Sequence, residues 1–360
     1  MLTRMRLVLD SIKFMINSLV RSNLRNFKPY SSARSLYQKG VFMDANENSL
    51  GSVISTEYGS ELNLYPDPLS MDLRKALGKF LAIPEKNIFV GSGSDEIIDL
   101  LIRLFVEQNE EIIVIEPTYG MYKVAAEVAG VNIKNLLLKP DFQIDIPNLL
   151  SEINSKTKII FLCSPNNPTG TLVNLEDVET ICRNFTGIVV VDEAYIEFAS
   201  KSSFVKEIPN IKNLVVLRTF SKAWGLAGIR VGYAVAQEVL IEYLNKIKLP
   251  YNLNRISSGL AVEALKNYQK MLEFRIVILE ERKKLAEKLT DLGFKVFPSE
   301  ANFLLVSYPN ASDIAKRLAV NYGIIIRDFN SKPLLKDCVR ISVGSPEQNE
   351  LLIKSLIKIL

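Results

Sequence analysis

Leu217-Arg218-Thr219-Phe220-Ser221-Lys222-Ala223-Trp224-Gly225-Leu226-Ala227-Gly228-Ile229-Arg230 sets one lysine among small, hydroxyl and apolar residues, with an arginine eight positions further on. A lone Ser-Lys pair is usually a solvated surface feature. Here the glycines and the unbroken apolar context predict a buried lysine. Burial lowers the proton affinity of an amine and makes it a nucleophile able to form a Schiff base. The apolar run Asn213–Arg218 just before it reads as a buried strand, so the lysine follows a strand's carboxyl end.

Outward from that loop, short apolar runs alternate with helix-length amphipathic segments. Strands are predicted at Asn87–Gly91, Glu111–Glu116, Lys158–Cys163, Gly187–Asp192, Asn213–Arg218 and Gly228–Val235. Helices are predicted at Asp95–Val106, Tyr119–Ala129, Leu175–Asn184 and Glu238–Lys246. Apolar strands alternating with helices predict an α/β fold, with a large domain whose mostly parallel sheet is flanked by helices on both faces. After Asn254 a charged helical stretch runs to about Leu289, broken near Asn267–Lys270. Strands Phe294–Phe297, Asn302–Val306, Ile324–Ile326 and Val339–Ile341, with helices Ser312–Tyr322 and Pro346–Ile359, predict a smaller α+β domain.

Three more stretches place polar groups at predicted strand ends. Gly91-Ser92-Gly93-Ser94-Asp95-Glu96 opens a helix, where glycines let the backbone approach an anion and the helix N-terminus offers unpaired N–H groups. An ordinary turn capped by Ser94 or Asp95 fits the same residues. Ser164-Pro165-Asn166-Asn167-Pro168-Thr169-Gly170 is a turn on composition alone, and turns at the carboxyl ends of parallel strands are where open α/β sheets bind ligands. Val189-Val190-Val191-Asp192-Glu193-Ala194-Tyr195 delivers carboxylates at a strand end, where Asp192 either serves a ligand or caps the next element.

The chain has 360 residues and no histidine. That excludes Ser-His-Asp and Cys-His nucleophile systems, His-ligated zinc and a histidine general base. Chemistry must run on other side chains or on a cofactor. The net charge is +4, but residues 1–28 carry +5 and the remainder −1, so no nucleic-acid partner is predicted. No apolar run approaches the roughly 18 residues of a membrane span, so no membrane is expected either. Cys163, Cys182 and Cys338 are widely spaced, which predicts reduced thiols in a cytoplasmic protein, and no ligand spacing implies a metal.

The order and spacing of the four stretches resemble the fold-type I enzymes dependent on pyridoxal 5′-phosphate (PLP), and among them the aminotransferases. The resemblance implies that Lys222 holds the cofactor as a Schiff base and then acts as the base at the substrate Cα. It implies that Asp192 pairs with the pyridine nitrogen and that Asn167 and Tyr195 hydrogen-bond the 3′ oxygen. Ser94, Asp95, Ser221 and Arg230 would surround the phosphate, and Tyr119 would stack on the ring.

Finer matches resemble the histidinol-phosphate aminotransferase family. They are Asp44-Ala45-Asn46-Glu47-Asn48, Leu64-Tyr65-Pro66-Asp67-Pro68, Asp192–Phe198, Leu217–Lys222, Pro298-Ser299-Glu300-Ala301-Asn302-Phe303, Gly323–Asp328 and Arg340–Gly344. Ser49 departs from the pattern, since the family commonly has proline there. The implied reaction moves the amino group of L-histidinol phosphate to 2-oxoglutarate, returning imidazole-acetol phosphate and L-glutamate. One pocket must then accept a phosphate or a carboxylate, which arginine forks suit. The resemblance implies Arg327 and Arg340 for that pocket, with Tyr30 and Asn46; the plainer alternative for Arg327 is a surface ion pair with Asp328. It implies a homodimer in which Tyr65 reaches the phosphate of the neighbouring subunit. Aromatic amino-acid aminotransferases and threonine-phosphate decarboxylases share the PLP set and are the rival activities. A PLP-binding regulator would carry an appended DNA-binding domain, for which residues 1–28 are too short.

The expected organisation is an N-terminal extension at 1–14, an arm at 15–45 packing with the small domain, a large PLP-binding domain at 46–275 and a small C-terminal domain at 276–360. Residues 1–28 also have the Arg-rich, acid-poor character of an organelle transit peptide, and Met15 is an alternative start.

Overall fold

The computed structural model describes residues 2–26 and 62–360, with side chains from Asp10 onward. Strands β1 (Ile88–Gly91), β2 (Glu111–Glu116), β3 (Asn132–Leu137), β4 (Thr157–Cys163), β5 (Ile188–Asp192), β6 (Leu214–Thr219) and β7 (Gly232–Val235) form one sheet in the order β1-β7-β6-β5-β4-β2-β3. β7 is antiparallel to both neighbours and the other pairs are parallel, so the carboxyl ends of β4, β5, β6 and β1 share an edge. Helices α1 (Leu2–Leu19), α2 (Met71–Leu81), α3 (Gly93–Phe105), α4 (Met121–Ala129), α5 (Ile146–Glu152), α6 (Leu175–Asn184), α7 (Glu238–Ile247) and α8 (Arg255–Lys266) surround it, and α9 (Tyr268–Asp291) leads on to the small domain.

Neighbouring strand residues point to opposite faces, and here both faces are buried. Ile160 and Leu162 of β4 join Leu73 of α2, Ile181 of α6 and Ala261 of α8 in one core. Ile159 and Phe161 join Leu101 of α3, Tyr122 of α4 and Leu240 of α7 in the other. That is why these strands read as continuous apolar runs. β3 escapes the same reading: it pairs only with β2, and its Asn132, Lys134 and Asn135 carry no apolar signal. The helical stretch after Asn254 breaks at Asn267, as expected.

The arm departs from expectation. Ile12, Ile16 and Val20 form an i, i+4 stripe buried in the large domain's core beside Leu104 and Leu240. Arg21 N donates to Leu104 O at 3.0 Å, and the Tyr243 hydroxyl donates to Asn17 Oδ1 at 2.8 Å. Residues 15–26 therefore pack on the large domain and not the small one, and α1 passes Met15 unbroken. Residues 27–45 lie outside the described residues.

The small domain is an antiparallel sheet, β10 (Arg327–Asp328), β11 (Cys338–Ser342), β9 (Phe303–Ser307) and β8 (Lys295–Val296) in that order, packed by α10 (Ala311–Tyr322) and α11 (Pro346–Ile359). Leu285 and Leu289 of α9 complete its core, so the expected boundary at 275/276 falls inside one helix. Ile324–Ile326 is not a strand. Ile324 and Ile326 turn toward the core and Ile325 is 86% exposed, while pairing with β11 begins at Arg327. No helix among the described residues is long and apolar enough to cross a membrane.

Candidate active site

The edge where β4, β5 and β6 end opens into a cavity of about 120 Å³. Ser94, Asp95, Tyr119, Asn167, Asp192, Tyr195, Ser221, Lys222 and Arg230 all line it, together with Cys163 and Thr219. The four polar stretches, distant in sequence, thus meet at one place.

One end is built for an anion. α3 starts at Gly93, two residues earlier than predicted, which puts Ser94 and Asp95 in its first turn. The N-cap is Ser92, whose backbone N donates to Glu96 Oε2, so the capping role read for Ser94 or Asp95 is not what these residues do. Gly232 lies tight against that turn: a Cβ there would sit 2.3 Å from Ser94 N. Arg230 adopts the left-handed conformation (φ 51°) after the turn Ala227–Ile229, so the predicted strand begins late, with β7 starting at Gly232 and ending at Val235 as expected. Its Nη2 lies 3.2 Å from Asp95 Oδ2 and its Nη1 3.5 Å from Ser221 Oγ. A Cβ on Gly93 (φ +77°) would sit 2.6 Å from Arg230 Nη2. The Tyr119 hydroxyl donates to Asp95 Oδ1 at 2.9 Å, so one carboxylate orients both the tyrosine and the arginine.

The other end is a buried polar set. Asp192 closes β5 with 2% exposure and accepts from the Tyr122 hydroxyl (2.8 Å) and from Ala194 N (3.1 Å). Burial pushes its carboxyl up to about 6, against the Tyr122 hydrogen bond. Asn167 Nδ2 donates to the Tyr195 hydroxyl at 3.4 Å. Glu193 faces away from the cavity, where it accepts from Ser203 Oγ (2.5 Å) and Phe204 N (2.6 Å) and lies 3.8 Å from Arg218 Nε. Arg218 Nη2 meets Glu197 at 2.7 Å, and this buried network fastens the loop that follows Tyr195.

Lys222 is exposed rather than buried, with its side chain lining the cavity. Its amine is still lowered from the ordinary lysine value, first by desolvation and then by Arg340 and Arg230. Nζ lies 5.6 Å from the centre of the Tyr195 ring.

Arg340 reaches the site from the small domain, with Nη1 donating to Asn167 Oδ1. Its guanidinium lies 5.2 Å from the Phe303 ring centre and 5.5 Å from that of Phe329. Arg327 is directly opposite it across the β10–β11 pair. Asp328 does not pair with Arg327; it accepts from Asn330 N at 2.8 Å. Tyr65 does not line the cavity: it is 47% exposed and stacks on Tyr251 (ring centres 4.5 Å apart). Tyr30 and Asn46 lie outside the described residues.

These groups suit PLP. A helix turn closed by Gly93 and Gly232, with Arg230 and two hydroxyls, matches a phosphate. A buried carboxylate matches a pyridinium, amide and phenol donors match a phenolate-like oxygen, and an amine of lowered basicity matches an aldehyde. A cavity-lining residue, Thr219, and a buried partner of Asp192, Tyr122, carry no signal of their role in the sequence. Thr219, whose Oγ1 meets Ser221 Oγ at 2.9 Å, stood inside the lysine stretch without a role. Tyr122 reads as helix core, three residues after Tyr119, and nothing local marks its partner.

A sequence profile described as aminotransferase class I and II matches residues 40–356. Histidinol-phosphate aminotransferases of Flavobacterium johnsoniae and Cytophaga hutchinsonii are 42% and 43% identical to the chain, over 95% of it and 98% and 99% of their own lengths. Among solved structures, the histidinol-phosphate aminotransferase of Sinorhizobium meliloti, in complex with pyridoxal-5′-phosphate, superposes with a TM-score of 0.78 at 26% identity. The match covers 88% of this chain and 90% of that one.

Proposed function

The chain belongs to the class I and II aminotransferases and, within them, to the histidinol-phosphate aminotransferase family; from that premise we propose that it transfers the amino group of L-histidinol phosphate to 2-oxoglutarate, yielding imidazole-acetol phosphate and L-glutamate in histidine biosynthesis. Its cofactor is pyridoxal 5′-phosphate. When bound, PLP supplies an electron sink that lets the substrate Cα release its proton.

The chain's own residues do the rest. Ser94, Asp95, Ser221 and Arg230 hold the phosphate, with Thr219 orienting Ser221. Tyr119, steadied by Asp95, covers the ring. Asp192 keeps a proton on the pyridine nitrogen, and Asn167 and Tyr195 bind the 3′ oxygen. Lys222 would hold the cofactor, and its Nζ would take the Cα proton, a task favoured by an amine that desolvation lowers from the ordinary lysine value. No step requires an imidazole, which agrees with the absence of histidine.

The observation that carries the substrate reading is the approach of Arg340 to Asn167 with Arg327 beside it. Two cations at the cavity mouth can take the phosphate of one substrate and the carboxylates of the other in turn. The family resemblance would add Tyr30 and Asn46, outside the described residues, to the substrate contacts. Tyr65, exposed and stacked on Tyr251 outside its own cavity lining, is in keeping with a homodimer in which it serves the neighbouring subunit's phosphate. The three cysteines are free and buried, in keeping with a cytoplasmic enzyme. The L-threonine-O-3-phosphate decarboxylase of Porphyromonas gingivalis is more distant, with 25% identity and a TM-score of 0.69.

The test is a donor panel of histidinol phosphate, phenylalanine, tyrosine and threonine phosphate, each with 2-oxoglutarate, scored for glutamate formation and for CO₂ release. Glutamate formed fastest from histidinol phosphate is expected. CO₂ release from threonine phosphate, or a preference for an aromatic donor, would overturn the assignment.

A further inference from the structure

Asp192, the buried carboxylate of the site, is gripped by a residue from another element. Tyr122 stands in the first turn of α4, fully buried. Its ring stacks on Phe161 (centres 4.7 Å apart, planes 10° apart) and meets Tyr119 edge-on (5.6 Å, 83°). Clamped between two rings, it has little freedom to swing its hydroxyl away. That hydroxyl donates to Asp192 Oδ2 at 2.8 Å while Ala194 N donates to Oδ1 at 3.1 Å. Each carboxylate oxygen thus has one donor on the protein side and retains acceptor capacity toward the cavity.

We infer that Tyr122 is a positioning residue for the reaction: its hydroxyl fixes the Asp192 carboxylate in the orientation in which it can hold a proton on the cofactor's pyridine nitrogen. The inference rests on the reading of Asp192 as the partner of that nitrogen. Three physical points support it. Asp192 is buried, and burial disfavours its charged form, so a donor that favours the charge is needed; Tyr122 is the foremost such donor. The Tyr122 hydroxyl is itself raised well above the ordinary tyrosine value by burial and by Asp192, so it stays a donor throughout the physiological range. A histidine in its place would change charge in that range, and the chain has none.

The experiment uses the full chain loaded with PLP labelled with ¹⁵N at the ring nitrogen, observed by NMR. In the wild type the nitrogen should show the shift of a protonated pyridine. Tyr122→Phe keeps the ring stack and removes only the hydroxyl. It should move the signal toward the unprotonated value, with kcat lowered about ten-fold and KM for the amino donor nearly unchanged. Phe161→Leu removes the stack and keeps the hydroxyl, and should leave the nitrogen protonated. A signal unmoved in Tyr122→Phe but moved in Asp192→Asn overturns the inference alone. A signal unmoved in Asp192→Asn overturns the underlying reading of Asp192. A shift as large in Phe161→Leu as in Tyr122→Phe assigns the effect to packing and also overturns it. Should Tyr122→Phe fail to retain PLP, retention of PLP with a protonated nitrogen by Phe161→Leu supports the hydroxyl's role, and loss there rejects it.

Discussion

Arg327 and Arg340 stand opposite one another on the antiparallel pair β10–β11, and Arg327 has no ion-pair partner among the described residues. Like charges directly opposite across strands destabilise a sheet, so the pair makes sense as a receptor for an anion. Desolvation lowers Arg340 from the usual arginine range, and Arg327 adds to that. Arg327→Gln should therefore leave the melting temperature unchanged or raise it, while raising KM for histidinol phosphate by about 10- to 100-fold, the worth of one charge-assisted contact. Arg340→Ala should also weaken glutamate use. Unchanged kinetics in both variants would reject the anion role.

Purified protein should absorb visible light through PLP held on Lys222, and borohydride should fix the cofactor to that residue. Lys222→Ala should lose both properties and about 10³-fold or more of kcat. A reducible adduct persisting on another lysine would show the assignment to be wrong.

The buried carboxylate has a stability cost with a definite pH window. Asp192 is raised to about 6 in the folded chain, while a carboxyl of this type in the unfolded chain titrates near ~3.9. Between those values the folded state binds more protons, so stability falls as pH rises through the window and stays lower above it. Without cofactor, Asp192→Asn should be more stable than the wild type by about 3 kcal/mol at pH 7, the gap closing near pH 4. Urea unfolding at both pH values measures this, and equal stability at pH 7 would count against a charged, buried Asp192.

Ile16 has 0% exposure in the large domain's core. Ile16→Ala should cost about 3 kcal/mol of unfolding free energy, with the visible absorbance of the folded protein unchanged. Removing residues 1–14, which include buried Ile12, should destabilise in the same direction. A truncated protein as stable as the full chain would mean that α1 does not pack as described.

Much of the site was legible because its residues sit where apolar strands stop: Asn167, Asp192 and Lys222 each follow a run of buried β-branched or aromatic residues. What escaped depends on distant packing. Tyr122 and Asp192 are 70 positions apart, and an apolar-looking helix position carries no mark of its partner. Arg230 was placed inside a strand, since nothing in its neighbours signals a left-handed residue. β3 is half polar because it forms the sheet's edge, and the packing of α1 was misjudged because an amphipathic stripe does not name the surface it covers.

α9 has a consequence for movement. Its Met271 belongs to the cluster that includes Tyr195 and Ala223 beside the lysine, and its Leu285 and Leu289 belong to the core of the small sheet. The helix is a strut about 36 Å long, rooted at both ends, with no interruption between Tyr268 and Asp291. A swing of the small sheet must flex this strut or turn about Asn267, where the preceding helix stops. Such a turn would move Arg327 and Arg340 together, as a pair of jaws, while Lys222 stays with the other half of the molecule.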